Sequence, residues 1–113
     1  VLVAVSEHPV GVDIEMKRPC SEAFVAKLTD EQERADFDFF ELWVLRESLF
    51  KLIGKGNLRK MRFRRENGVI VPPAAGVRCR LYGDVPGCTA AVCCFEGDFP
   101  ESIAMVETPE ISS

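Results

Sequence analysis

Apolar and polar residues change their spacing along the chain, and each change marks an element. VLVAV (1–5) and VGVDI (10–14) read as two short strands separated by SEHP, where Pro9 and its polar neighbours mark a turn. CSEAFVAKL (20–28) predicts a short helix capped by Ser21. TDEQERA (29–35) predicts another, with Thr29 and Gln32 at capping-box spacing. FDFF (37–40) reads as a connection. From about Phe39 to Lys55 there is no proline and no glycine before Gly54, and apolar residues occupy almost every face. This pattern predicts a helix largely surrounded by other elements, ended by Gly54 and Gly56.

Beyond Gly56 the period becomes two. KMRFRR (60–65) alternates Met61 and Phe63 with basic residues, as a strand with one wet face does. ENG (66–68) reads as a turn, and VIV (69–71), followed by two prolines, as a short edge piece. VRCRLYG (77–83) and TAAVCCF (89–95) are two further strands joined by DVPGC, and the tail from Asp98 carries one more short extended piece. Strands, then helices, then strands predict an α+β domain, an antiparallel sheet packed against a long helix. The domain is expected over 1–107 and a frayed tail over 108–113.

Composition narrows the classes of function. The 113 residues carry 18 acidic and 14 basic side chains, a net charge of −4, which gives no general electrostatic reason to bind nucleic acid. The basic cluster RKMRFRR (59–65) is a local exception that reads as a solvated strand face or as attraction for an acidic partner helix. No apolar run approaches the roughly 20 residues of a membrane span, and VLVAV lacks the basic leader of a signal peptide, so the expectation is a cytoplasmic protein without membrane contact. Five cysteines, two of them adjacent, form a poor disulfide framework and are expected to be reduced. With His8 as the one histidine and no CxxC, a zinc site or Cys–His dyad has no support.

Candidate chemistry falls on two segments. In VGVDIE the strand period places Gly11, Asp13 and Glu15 on one face, the two carboxylates about 6 to 7 Å apart at their backbones, with open space expected beside Gly11. In the long helix Glu47 and Lys51 are four apart and share a face, and Phe40 and Val44 on nearly the same line direct it toward the domain. Three carboxylates without His or Cys favour a hard cation such as magnesium, which commonly binds a few carboxylates plus substrate phosphates. Spacing alone leaves open surface acids with an ordinary helix ion pair, or a general acid/base pair.

VGVDIE and LWVLRESLFKLIGKG (42–56) closely resemble the signature of the 4'-phosphopantetheinyl transferases, written G-V/I-D-I-E and W-x-x-K-E-A/S-x-x-K-x-x-G-K-G. AAVCCFEGDFPESIAMV (90–106) is similar to the closing strand and tail of the larger, surfactin-synthetase-activating type. The resemblance implies magnesium ligands at Asp13, Glu15 and Glu47, and implies that Lys51 contacts the coenzyme A phosphates and protonates the leaving group. It implies further coenzyme contacts at Lys17, Arg18 and Arg46, the last standing where the family has lysine. Trp43 is expected to be a core anchor.

The implied reaction moves the 4'-phosphopantetheine arm of coenzyme A to a serine of an acyl or peptidyl carrier protein. The serine proton would pass to Glu47 or to a metal-bound water, and sequence does not divide that role. The larger type has two similar halves with the site in the cleft between them, and the resemblance covers the second. It therefore implies self-association or a missing N-terminal half, and the alternative is a catalytically incomplete fragment that serves as a structural or carrier-protein-interaction domain.

Overall fold

The computed structural model describes residues 2, 4, 6–96, 98–100, 102 and 103. The alternation in VGVDIEM forms strand β1, Val10–Met16, with the carboxylates on its odd-numbered side. Two helical turns follow, α1 (Glu22–Leu28) and α2 (Glu31–Asp36), and then the long helix α3 (Phe39–Ile53). A hairpin of β2 (Arg64–Glu66) and β3 (Val69–Val71) precedes β4 (Arg78–Tyr82) and β5 (Cys88–Cys94). Strands β1, β5 and β4 lie in that order in a three-stranded sheet, every neighbour antiparallel, with the β2–β3 hairpin as a separate pair. The fold is α+β, as the pattern of elements predicts. Expected strand positions Val1, Val3 and Val5 lie outside the described residues, as do 104–113 with the expected tail.

Local chemistry accounts for the helix boundaries. Ser21 caps α1 by accepting the Phe24 N–H at 3.2 Å. The capping box of α2 sits one residue later than the spacing of Thr29 and Gln32 suggests. Asp30 accepts the Glu33 N–H at 2.8 Å and Glu33 Oε1 accepts the Asp30 N–H at 3.1 Å. Thr29 is already committed to the preceding helix, donating its hydroxyl to the Val25 carbonyl at 2.7 Å. Asp38 and Glu41 repeat the box at the start of α3, so FDFF is a cap and a first turn as well as a connection. Gly54 ends α3 in the left-handed region, at φ 72°, where a Cβ would be strained. Asn67 and Gly68 both have positive φ, which joins β2 to β3 through a two-residue turn matched to strand twist.

The core lies between α3 and the sheet. Leu42, Val44, Leu45 and Leu49 of α3 pack with Ala91 and Cys93 of β5 and with Phe37, Met61, Phe63 and Val77. KMRFRR departs from the expected strand. Met61 and Phe63 are buried in alternation as read, but Leu58–Lys60 is a 3-10 turn and regular pairing starts only at Arg64. Side chains hold this stretch instead of a ladder: Arg46 Nε donates to the Met61 carbonyl at 2.9 Å and the Phe63 N–H donates to Glu33 Oε2 at 3.2 Å.

Gly11 is the point at which α3 meets β1. No open space lies beside it, contrary to the expectation from sequence. A Cβ built there falls 1.9 Å from the Ser48 carbonyl oxygen and 2.8 Å from the Leu52 nitrogen, both backbone atoms of α3. Only a residue without a side chain lets the helix lie this close to the strand, and this approach carries Glu47 and Lys51 to Asp13. Gly11→Ala is therefore expected to force α3 off β1 and to destabilise the chain by about 1–3 kcal/mol or more. Denaturant unfolding of this variant measures the effect, and wild-type stability would contradict the close packing.

Candidate functional site

Strand β1 and helix α3 set the site between them. The odd-numbered side of β1 faces α3, so Asp13 and Glu15 look toward the helix, and the four-residue spacing of Glu47 and Lys51 puts both over the strand. Lys51 Nζ donates to Asp13 Oδ1 at 3.1 Å and to the Val12 carbonyl at 3.1 Å. The Asp13 side chain is 15% exposed and the lysine 50% exposed, so the ion pair sits at the mouth of the α3–β1 contact. Lys51 thus partners Asp13 across the elements.

Asp13 is only half satisfied. Its Oδ2 is buried and has no hydrogen-bond partner, although a carboxylate oxygen away from water carries a cost unless a donor or cation meets it. Burial raises the Glu47 carboxyl above its ordinary value, the Asp13 charge raises it further, Lys51 opposes the shift, and Glu15 adds to it. The charges of Asp13 and Glu15 therefore both reach Glu47. Among the described residues no three His, Cys, Asp or Glu side chains close around a single point. A cation held there would have to draw further ligands from its own water and from substrate oxygens.

The raised Glu47 value has a direct consequence for stability. A carboxyl whose folded value lies above its unfolded one binds more protons folded than unfolded. Its contribution is present below the unfolded value of 4.5 and is lost as pH rises through the folded value. In chelator at neutral pH, Glu47→Gln is expected to melt above the wild type, with the difference closing as pH falls below the unfolded value. Thermal melts across pH test this, and a Glu47→Gln chain less stable than wild type at neutral pH would overturn it.

The remaining expected site residues are placed as follows. Lys17 Nζ bonds Asp38 Oδ2, the cap of α3, at 3.1 Å, and this hydrogen bond, followed by the Asp38 charge, raises its ammonium above the ordinary value. Arg18 lies beside the carboxylates, 3.4 Å from Glu15 Oε2, with its guanidinium 5.2 Å from the centre of the Phe40 ring. Arg46 is a correction. It is fully buried, both Glu33 oxygens accept from its Nη2 at 3.1 Å, and its Nε bonds Met61, so its charge is spent inside the fold and not presented to a coenzyme. Burial lowers the guanidinium below its ordinary value and the Glu33 charge draws it back. Trp43 also differs from expectation: it is half-buried and outside the core, stacked on Phe39 with ring centres 6.1 Å apart.

Two shallow grooves of about 360 and 480 Å³ flank β4, one lined by Lys17, Glu41, Tyr82 and Thr89, the other by Arg65, Ile70, Cys79 and Arg80. Neither includes Asp13, Glu15, Glu47 or Lys51. The Glu33–Arg46 pair is the feature that sequence reading missed. Its partners are thirteen residues apart on different helices, and no local spacing joins them.

The family model described as the 4'-phosphopantetheinyl transferase superfamily matches residues 9–104, which contain the whole of β1, α3 and β5. The chain is 32% identical over 130 aligned positions to the 4'-phosphopantetheinyl transferase Sfp of Bacillus subtilis (strain 168), covering 98% of this chain and 58% of that protein. It is 32% identical over 124 positions to the 4'-phosphopantetheinyl transferase ffp of Bacillus subtilis, covering 94% of this chain and 55% of that one. The chain thus spans a little over half the length of these curated relatives.

Proposed function

Because the chain belongs to the 4'-phosphopantetheinyl transferase superfamily, we propose that it takes part in magnesium-dependent transfer of the 4'-phosphopantetheine arm from coenzyme A to a serine of an acyl or peptidyl carrier protein. The observation that carries this reading is the orphaned Asp13 Oδ2, facing a helix that brings Glu47 and Lys51 to the same strand. Asp13, Glu15 and Glu47 would hold the magnesium. Bound there, it would supply positive charge to the pyrophosphate of the coenzyme as the phosphoryl bond breaks.

The chain's own residues do the rest. Lys51, half-exposed and anchored through the Val12 carbonyl, turns its ammonium from Asp13 to the departing 3',5'-bisphosphate, where it offsets charge and supplies a proton. The serine proton passes to Glu47 or to a water at the site. Arg18 lies next to Glu15 and Lys17 next to Asp38, and both reach a coenzyme by exchanging these exposed partners for phosphate. Further sequence or a second copy of the chain completes the cleft around these residues.

The experiment follows the mass of an apo carrier protein incubated with the chain, coenzyme A and magnesium, alongside the mass of the chain in solution. Slow or absent transfer by the monomer, with transfer appearing in a self-associated form or when a complementary half is added, and its loss in chelator, is the expected result. Transfer undiminished by chelator would remove the metal from the reading. Rapid transfer by a strict monomer would show that the cleft needs no further half.

A further inference from the structure

We propose that Cys79 and Cys93 are a redox pair that closes into an intramolecular disulfide across β4 and β5. The two residues stand directly opposite in the antiparallel register, and their sulfurs are 2.9 Å apart. Opposite residues in such a ladder have Cα atoms about 4.5 or 5.5 Å apart, and both values lie within the window that a disulfide bridges. Bond formation asks the sulfurs to approach by roughly 0.9 Å more, a side-chain rotation and not a backbone movement. Cys94 points to the opposite face of β5 from Cys93, Cys88 lies at the far end of that strand, and Cys20 is exposed ahead of α1, so the pairing is specific.

The surroundings give the two thiols different roles. Cys79 is half-buried and lines the groove of about 480 Å³ between β4 and the hairpin, which a small reagent can enter. Cys93 is fully buried under α3, with its sulfur 3.9 Å from the Leu45 carbonyl oxygen. Its hydrogen bond with Cys79, and then burial, push its thiol far above the ordinary value, so it does not lead the reaction. Cys79 loses its proton to solvent and attacks one sulfur of a low-molecular-weight disulfide such as oxidised glutathione, releasing one glutathione thiolate that takes up a proton. Cys93 then attacks the Cys79 sulfur, its proton passing to the second glutathione sulfur as that thiol leaves. Two protein thiols become one disulfide and one glutathione disulfide becomes two thiols. Cys93 is also the register partner of Gly11, so the closed bridge ties β4 to β5 opposite the point where β1 meets α3.

The test treats the folded chain with oxidised glutathione, unfolds it, blocks free thiols with a maleimide and reads intact mass. After reduction all five cysteines are expected to be blocked, and after oxidation Cys79 and Cys93 are expected to carry neither maleimide nor glutathione, any glutathione on the exposed Cys20 being read by its added mass. A Cys20→Ser/Cys88→Ser/Cys94→Ser chain is expected to lose both remaining thiols. Cys94 is buried and its replacement can disturb folding, so Cys79→Ser is the second variant, expected to form no intramolecular disulfide under the same oxidant. Retention of both thiols in a folded triple variant, or formation of an intramolecular disulfide in Cys79→Ser, would overturn the proposal.

Discussion

Replacing Arg46 with methionine is expected to cost the chain roughly 3–5 kcal/mol of stability, because it removes the fully buried cation paired with Glu33 and leaves only the part-exposed Arg62, at 3.5 Å, to meet that charge. Both side chains are fully buried, and the pair anchors two elements at once. Glu33 belongs to α2 and accepts from Arg46 and from the Phe63 N–H, while Arg46 belongs to α3 and donates to the Met61 carbonyl. Residues 61–63 have no ladder of their own, so these side chains substitute for one. Arg46→Lys should lie between methionine and the wild type, since an ammonium keeps the charge but cannot bond both the Glu33 carboxylate and the Met61 carbonyl in the fork geometry of a guanidinium. Denaturant midpoints of the variants check this. A loss below about 1 kcal/mol in Arg46→Met would show that the pair is not the strut described, since breaking a buried pair costs several times more.

Lys51→Ala is expected to lower arm transfer by about 10²–10³-fold, the typical effect of removing one preorganised charge from a transition state. Its effect on folding should be much smaller. The lysine is half-exposed, and exposed pairs of this kind contribute on the order of 0.2–1 kcal/mol. The buried Asp13 left behind adds to that figure, but Asp13 keeps the edge of the sheet, where its pairing with Ala91 is made by backbone. Turnover in the transferring assembly and the melting midpoint of the same variant separate the two effects. Wild-type turnover in Lys51→Ala would eliminate its role, and a midpoint that falls as far as that of Arg46→Met would assign the lysine to structure.

Much of the fold was legible because two of its elements are long and strongly patterned. Strand β1 follows from the alternation of Val10, Val12 and Ile14, and α3 from an unbroken run closed by Gly54. Their contact was partly legible too, since Glu47 and Lys51 had to share a helix face. The errors arose where a residue's use is decided by something distant in sequence. Thr29 resembles a cap, but its hydroxyl already serves α1. Met61 and Phe63 alternate like strand residues because both are buried, and alternation reports burial without saying whether a neighbouring strand or a side chain takes the backbone bonds. Gly11 suggested space where a helix backbone lies, and the family resemblance implied a coenzyme contact at Arg46, whose partner Glu33 comes from another helix and is not legible locally. Trp43 stands at the edge of the core with Phe39, where one face of α3 turns outward.

The magnesium role of the carboxylates is measured most directly by titration calorimetry of coenzyme A into the purified chain, in magnesium and in excess chelator, with Asp13→Asn as the companion variant. Asp13 presents an unmet buried oxygen, and the carboxylates lack the closed shell that would hold a cation without substrate. Coenzyme binding in magnesium is therefore expected to be strongly weakened both by chelator and by Asp13→Asn. Equal affinity for coenzyme A in magnesium and in chelator would contradict that role.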